Sequence, residues 1–392
     1  MKYLSLATVF AAASGFVVMW IASWALDAES GYNYFLAFWG LFFAATGLID
    51  GITQETTRAV AASRETKARG TANPWKLGGA IGAVLAGAAL AVGVVGMGRI
   101  VPSNPGAATG LLAFGLLSYA FQAVLSGILS GSGLWSRYAA LVAMDSGVRL
   151  VLAVVVWALG GGLVEFLVIT VIGALSWILI LTLSPVHVPL DVDRATFVRR
   201  VASAMVASGA SAALITGFPT AASAAFPAAT SGAAVASINN AVMLTRAPVL
   251  VPLQRFQSAL VVRFVRQRGR VYQALAAPVA AILGVGLAGF AAAWAVGPWI
   301  LRVAYKPELF VGGLTLGLLT FASAFMGMLM ITGVAVLAQE RHGFYVAGWL
   351  AATATAFAVL FLAPWGVTAT VVAALFAGPV VGTIVHLAGL TR

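Results

Sequence analysis

The chain has 392 residues, 61% of them hydrophobic, with only 22 Lys/Arg against 11 Asp/Glu and a mean hydropathy of +1.02. A soluble globular chain carries about a quarter charged residues, whereas 8% of this one is charged, which excludes a soluble enzyme, a secreted domain and a disordered tail. The absence of cysteine excludes disulfides, thiolate metal sites and cysteine nucleophiles.

A membrane-crossing helix needs roughly 20 mostly apolar residues. The expected fold is therefore an all-α polytopic membrane protein. Apolar runs predict twelve spans, near 4–26, 33–52, 77–98, 106–130, 136–159, 162–184, 201–218, 229–253, 271–297, 309–335, 343–363 and 366–388. The first begins like a signal peptide, with Lys2 before an apolar run. Leu4 to Leu26 exceeds the usual apolar core of about 7–15 residues, so it is read as a retained span.

Basic residues in short loops mark the cytoplasmic side. With both termini inside, the inner set is Lys2, Arg58, Arg64, Lys67, Arg69, Lys76, Arg137, Arg194, Arg199, Arg200, Arg255, Arg263, Arg266, Arg268, Arg270, Arg341 and Arg392. Outside fall only Arg99, Arg302 and Lys306. The net charge of +11 thus reports orientation and contact with anionic inner-leaflet lipid, not nucleic acid. The expected location is a membrane, crossed many times, with this basic face on the cytoplasmic side.

Loops this short leave no room for a soluble catalytic domain. The longest basic segments, 53–76 and 254–270, follow the second and eighth spans, the same place in each set of six. The stretch from Gly127 also overlays that from Gly333, setting Tyr138 on Tyr345 and Gly160–Gly162 near Pro364–Gly366. Two parallel six-helix lobes follow: 1–184, a linker at 185–200, and 201–392, with a substrate site between such repeats. Gly47/Gly51, Gly78/Gly82 and Gly127/Gly131 have the spacing that lets helices approach closely. Pro248 and Pro252 predict a bend in the eighth span.

A charge inside the bilayer is costly and usually faces a cavity or a partner. Asp145 and Arg149 lie four apart on the fifth span and can pair. Counted from Arg137 at about 1.5 Å per residue, they lie about 12 and 18 Å deep. Arg246 on the eighth span lies about 12 Å inside Arg255, two turns after Asn239 and Asn240. One buried arginine per half suits a phosphate-bearing headgroup, because guanidinium binds phosphate through a bidentate fork. The alternative is structural: Arg149 only pairs with Asp145, and Arg246 caps a neighbour. Asp50 reads as a helix-end carboxylate near Arg58, and Glu165 as interfacial. Trp39, Phe42, Phe43, Tyr119 and Phe121 read as lipid-facing rather than sugar-stacking. The three histidines, His187, His342 and His386, are too widely separated to predict a metal centre, and neither metal nor cofactor is expected.

Residues 32–65 resemble the second span and following loop of polysaccharide and lipid-linked oligosaccharide exporters, with Gly51, Gln54 and Arg58 in a Gly-x-x-Gln-x-x-x-Arg pattern. Residues 116–156 resemble that family's fourth and fifth spans, 244–256 its eighth, and 333–388 its last two. The family is the polysaccharide-transporter, O-antigen flippase-like branch of the multidrug/oligosaccharidyl-lipid/polysaccharide superfamily. The resemblance implies a V-shaped pair of lobes, alternating access and a cationic cavity. It also implies an undecaprenyl- or decaprenyl-linked glycan as substrate, flipped from the inner to the outer leaflet for cell-envelope assembly. On this reading Arg149, Arg246 and Arg58 hold phosphate, while Asp145, Asp50, Gln54, Asn239 and Asn240 are polar or coupling groups. The expected partners are the polyprenyl-linked glycan, anionic lipids and a neighbouring glycosyltransferase or polymerase, with no nucleic acid, and the chain is expected to act as a monomer. The rivals are a cation-coupled multidrug antiporter and, from another class, a membrane-embedded glycan-assembly enzyme or scaffold.

Overall fold

In the computed structural model, residues 2–66, 70–183, 190, 192–226, 228–266, 270–339 and 341–391 are described. All regular structure among them is helical. In chain order the helices are α1 (Lys2–Ala25), α2 (Asn33–Thr66), α3 (Pro74–Ile100), α4 (Pro105–Gly131), α5 (Trp135–Ala158), α6 (Leu163–Ile172) and α7 (Ser176–Leu183). There follow α8 (Arg194–Ile215), α9 (Phe218–Ala225), α10 (Ala228–Arg266), α11 (Val271–Ala304), α12 (Gly313–Ala338), α13 (His342–Leu362) and α14 (Val367–Leu390).

Eleven of the described segments are long and apolar enough to cross a membrane. The eighth predicted span lies in α10, a 39-residue helix outside that set, which carries Asn239, Asn240 and Arg246. It runs without interruption through Pro248 and Pro252.

Local chemistry sets the helix ends. Pro74 opens α3 just after Asn73, whose side chain accepts the Lys76 N–H at 3.1 Å; proline fits there because the first turn has no intrahelical use for its missing donor. Gly133 and Gly160 take φ of 70° and 71° at the α4–α5 and α5–α6 turns. Only glycine adopts that region without steric cost.

The chain divides into two compact units, Met1–Thr220 and Ala221–Arg392. In the first, α2 packs along both α4 and α8, α3 lies on α4, and α1 lies on α5. The division therefore falls later than the expected 185–200 linker: α8, the predicted seventh span, belongs with the first unit. The physical reason is close backbone approach. A Cβ on Gly51 would lie 2.6 Å from Met205 Cα, and one on Gly40 would lie 2.8 Å from the Thr216 carbonyl oxygen. The Thr220 hydroxyl adds a bond to the Ala37 carbonyl at 2.6 Å. Residues 185–189 and 191 of the linker, with His187 among them, lie outside the described set, as do Ser184, Lys67, Arg69 and Arg268 and the side chains of Arg255 and Arg266 in the two basic loops.

Helix association inside lipid depends on packing and hydrogen bonds more than on the hydrophobic effect. The α2–α4 seam shows both. Gly127 faces Thr53 and Thr56, and Gly131 faces Thr57 and Val60. Thr53 donates to the Ala123 carbonyl at 3.1 Å, and the Thr57 and Ser130 hydroxyls meet at 2.7 Å. Gly78 and Gly82 seat α3 against Val124, Ala120 and Leu117 of α4.

Phe42 is fully buried and Trp39 nearly so, which corrects the lipid-facing expectation. They belong to an aromatic interior, with Phe35 edge-on to Phe166 at 5.6 Å and Trp39 tilted on Phe43 at 4.7 Å. The outward faces carry other large apolar residues, among them Val92, Val94 and Val95 of α3.

In the second unit, α12 is the central helix, packed by α10, α11 and α14, with α13 on α14. Phe321, Phe325 and Phe376 meet edge to face at 5.1–6.1 Å. His386 is fully buried and pins three helices. It shares hydrogen bonds of 3.1 Å with the Thr332 hydroxyl on α12 and the Tyr345 carbonyl on α13. Tyr345 is the fourth residue of α13 and Tyr138 the fourth of α5, the two positions that the sequence overlay aligns.

Candidate functional site

The first unit encloses a polar network built from α2, α4, α5 and α6. The four-residue spacing of Asp145 and Arg149 on α5 does what it predicts: Arg149 Nη1 is ion-paired with Asp145 Oδ2. Two further contacts hold the guanidinium. Its Nε donates to the Thr170 carbonyl at 3.0 Å, and its Cζ lies 5.2 Å from the Phe43 ring centroid. Gln122 of α4 donates to Asp145 Oδ1 at 3.1 Å. Nη2 of Arg149 and Oε1 of Gln122 are buried without a hydrogen-bond partner among the described residues.

The sixth span is built around this guanidinium. It breaks into α6 and α7 through a short 3-10 turn, Gly173–Leu175. At the break, Arg149 binds the Thr170 carbonyl, while the Ser118 hydroxyl binds the Ala174 carbonyl at 2.7 Å and accepts from Trp177 Nε1 at 3.0 Å. A buried carbonyl left without a donor is costly, and these side chains supply donors where the helical pattern changes. Sequence reasoning missed Ser118, Thr170 and Gly173. The available signal was Gly173 inside an otherwise branched apolar run.

Asp50, read from the sequence as a helix-end carboxylate near Arg58, lies well inside α2. Asp50 Oδ1 accepts the Tyr119 hydroxyl from α4 at 2.9 Å. Arg58 instead grips Glu55 through Nε and Nη2, at 2.7–2.9 Å. Glu55 is buried, and Arg200 of α8 also approaches its Oε1, at 3.8 Å. Gln54, next in sequence, donates to the Ser208 hydroxyl on α8 at 3.0 Å. Glu55 was passed over in the sequence, although its spacing of three from Arg58 is that of a helical ion pair. Glu165 accepts the Gly162 N–H at 2.9 Å and so caps the start of α6.

In the second unit, Arg246, Asn239 and Asn240 are all buried on α10. Asn239 and Arg246 are seven residues apart and share a helix face. The network of α5 thus belongs to the first unit and the polar face of α10 to the second.

Two proteins of Mycobacterium tuberculosis H37Rv, named Uncharacterized protein Rv3630 and Uncharacterized protein Rv1510, are each 36% identical to this chain. Each match covers 98% of this chain and 90% of the relative. The chain belongs to the family of these mycobacterial proteins. A Mycobacterium bovis member, Uncharacterized protein Mb3654, matches with the same identity and coverage. No protein-family model matches.

Among solved structures, the inward-facing form of a multidrug resistance MATE family transporter of the MOP superfamily aligns with TM-score 0.69 at 17% identity, over 98% of this chain and 94% of that one. The lipid II flippase MurJ, in an inward closed conformation, aligns with TM-score 0.70 at 13% identity, over 100% of this chain and 88% of that one. The family therefore has the two-lobed fold of MATE transporters and MurJ. At these identities the likeness carries the fold and no further property.

Proposed function

We propose that this chain is a flippase that moves a polyprenyl-phosphate- or pyrophosphate-linked sugar from the inner to the outer leaflet of a bacterial inner membrane. The observation that carries this reading is Arg246, a guanidinium only 8% exposed on a helix that also buries Asn239 and Asn240. Arginine stays charged at any ordinary pH, so an arginine buried inside a membrane protein is matched to a ligand or group of fixed negative charge. Phosphate supplies that charge.

In this mechanism Arg246 holds the phosphate and Arg58 meets it at the basic end of α2. Arg149 reaches a phosphate only by leaving Asp145, which makes that pair the coupling element. A cation-coupled drug antiporter instead needs carboxylates open to a cationic substrate. Here Asp50, Glu55 and Asp145 are engaged by Tyr119, Arg58 and Arg149 respectively. The fold is shared by both transporter types, so the charge pattern is what favours the flippase.

The test is leaflet transfer of a fluorescent polyprenyl-phosphate sugar in liposomes containing the purified protein. Wild type moves the probe, Arg246→Ala stops transfer without loss of folding, and Arg246→Lys retains part of it, since the charge survives but the fork does not. Full transfer by Arg246→Ala overturns the assigned site. Proton-driven dye efflux without sugar transfer overturns the flippase reading.

A further inference from the structure

The basic end of α2 carries one acid within reach of two cations. Glu55 has only 8% of its side chain exposed, whereas Arg58 and Arg200 have 41% and 45%. Arg58, on the same helix, reaches both carboxylate oxygens at 2.7–2.9 Å. Arg200 comes from α8, and its Nη1 stops 3.8 Å from Oε1.

The two cations hold the acid differently. A guanidinium that engages both oxygens of a carboxylate makes the stronger kind of pair, and Arg200 stands about 1 Å short of a charge-assisted hydrogen bond. The seam keeps that gap small. Gly51, one turn before Glu55, brings α2 against Ala204 and Met205 of α8, and Gln54 donates to the Ser208 hydroxyl at 3.0 Å. Arg200 lies one turn before Ala204 on the same helix. A change of side-chain rotamer, with neither helix moving, is enough to bring Arg200 onto Glu55.

A phosphate that takes the Arg58 guanidinium strips Glu55 of its closest cation, and a buried charge left without a partner is costly. We infer that Arg200 offsets this cost by closing on Glu55 as Arg58 turns to the phosphate. Glu55 and Arg200 are then positioning residues for the Arg58 site: the acid holds the guanidinium in place before the anion arrives, and α8 neutralises the acid afterwards. The inference rests on the proposed role of Arg58 in meeting the substrate phosphate.

Equilibrium binding of a fluorescent polyprenyl-phosphate sugar to the purified protein tests it. Arg200→Gln weakens binding about tenfold, because Glu55 finds no second partner. Glu55→Gln keeps the shape without the charge and binds the probe more tightly than wild type. Adding Arg200→Gln to Glu55→Gln changes nothing further. Matched thermal melts confirm the fold, and Arg200, half exposed, supplies the variant that leaves the interior intact. Equal weakening by Arg200→Gln with and without Glu55 overturns the exchange and makes Arg200 an independent cation. So does wild-type affinity in Arg200→Gln, or a loss of affinity in well-folded Glu55→Gln. No binding by wild type, or binding indifferent to Arg58→Gln, is a different result and overturns the phosphate assignment itself.

Discussion

Arg149 and Gly173 claim the same volume: a methyl group on Gly173 would lie 2.5 Å from Arg149 Cζ and 2.6 Å from the Asp145 carbonyl oxygen. Overpacking a closed interior costs about 1–3 kcal/mol. Gly173→Ala is therefore expected to lower the melting temperature of the purified protein. In an Arg149→Ala background the same change should cost less, with the close approach to the Asp145 carbonyl remaining. Strictly additive losses would show that the two positions do not share space.

Breaking the Arg149–Asp145 pair from one side should be worse than removing both charges. A lone charge left in such a place costs about 3–5 kcal/mol. Arg149→Met alone is expected to destabilise strongly, and adding Asp145→Asn should restore a good part of the loss. Thermal melts of the two single variants and the double variant measure the coupling.

The placement of α8 beside α2 can be read chemically, because the chain has no native cysteine to confuse the result. Gln54 and Ser208 touch through their side chains. Gln54→Cys with Ser208→Cys should be bridged by a short bis-thiol reagent. After cleavage of the intervening chain, the fragments should migrate together on a gel. Separate fragments would place α8 elsewhere.

Asp193 caps α8 by accepting the Thr196 N–H at 3.0 Å, and this bond holds its carboxyl below the ordinary 3.8. A folded-state value that is depressed means the ionised carboxylate stabilises the cap. That stabilisation is present above the ordinary value and is lost as pH falls through the folded one. Protection of the Thr196 amide, taken as exchange relative to the intrinsic rate at each pH, is expected to fall on acidification in wild type. In Asp193→Asn, which still accepts a bond but does not titrate, that protection should carry no such dependence.

Much of the fold is legible in the sequence because lipid imposes a simple code: a long apolar run is a span, and a glycine pair four apart is a place where helices meet. Gly47/Gly51, Gly78/Gly82 and Gly127/Gly131 all do this. The Asp145–Arg149 pair was legible for a related reason, since both residues lie on one helix. What escaped was the surroundings, because Thr170, Gly173 and Gln122 come from other helices, and sequence spacing says nothing about which helices touch. The Asp50 partner was missed likewise: Tyr119 is 69 residues away. The boundary of the first unit escaped because covalent order places α8 after the linker, while small residues on α2 draw it back.

The hydrogen bond from Arg149 to Thr170 also bears on how the protein is made. The arginine emerges from the ribosome on α5, before the helix whose carbonyl receives it exists. Until α6 arrives, only the neighbouring Asp145 and the helices already made can offset its charge. The fifth span is thus a poor candidate for release into the bilayer alone, and α5 and α6 are expected to leave the translocation channel as a hairpin. The tight turn at Gly160 provides the bend for that joint exit.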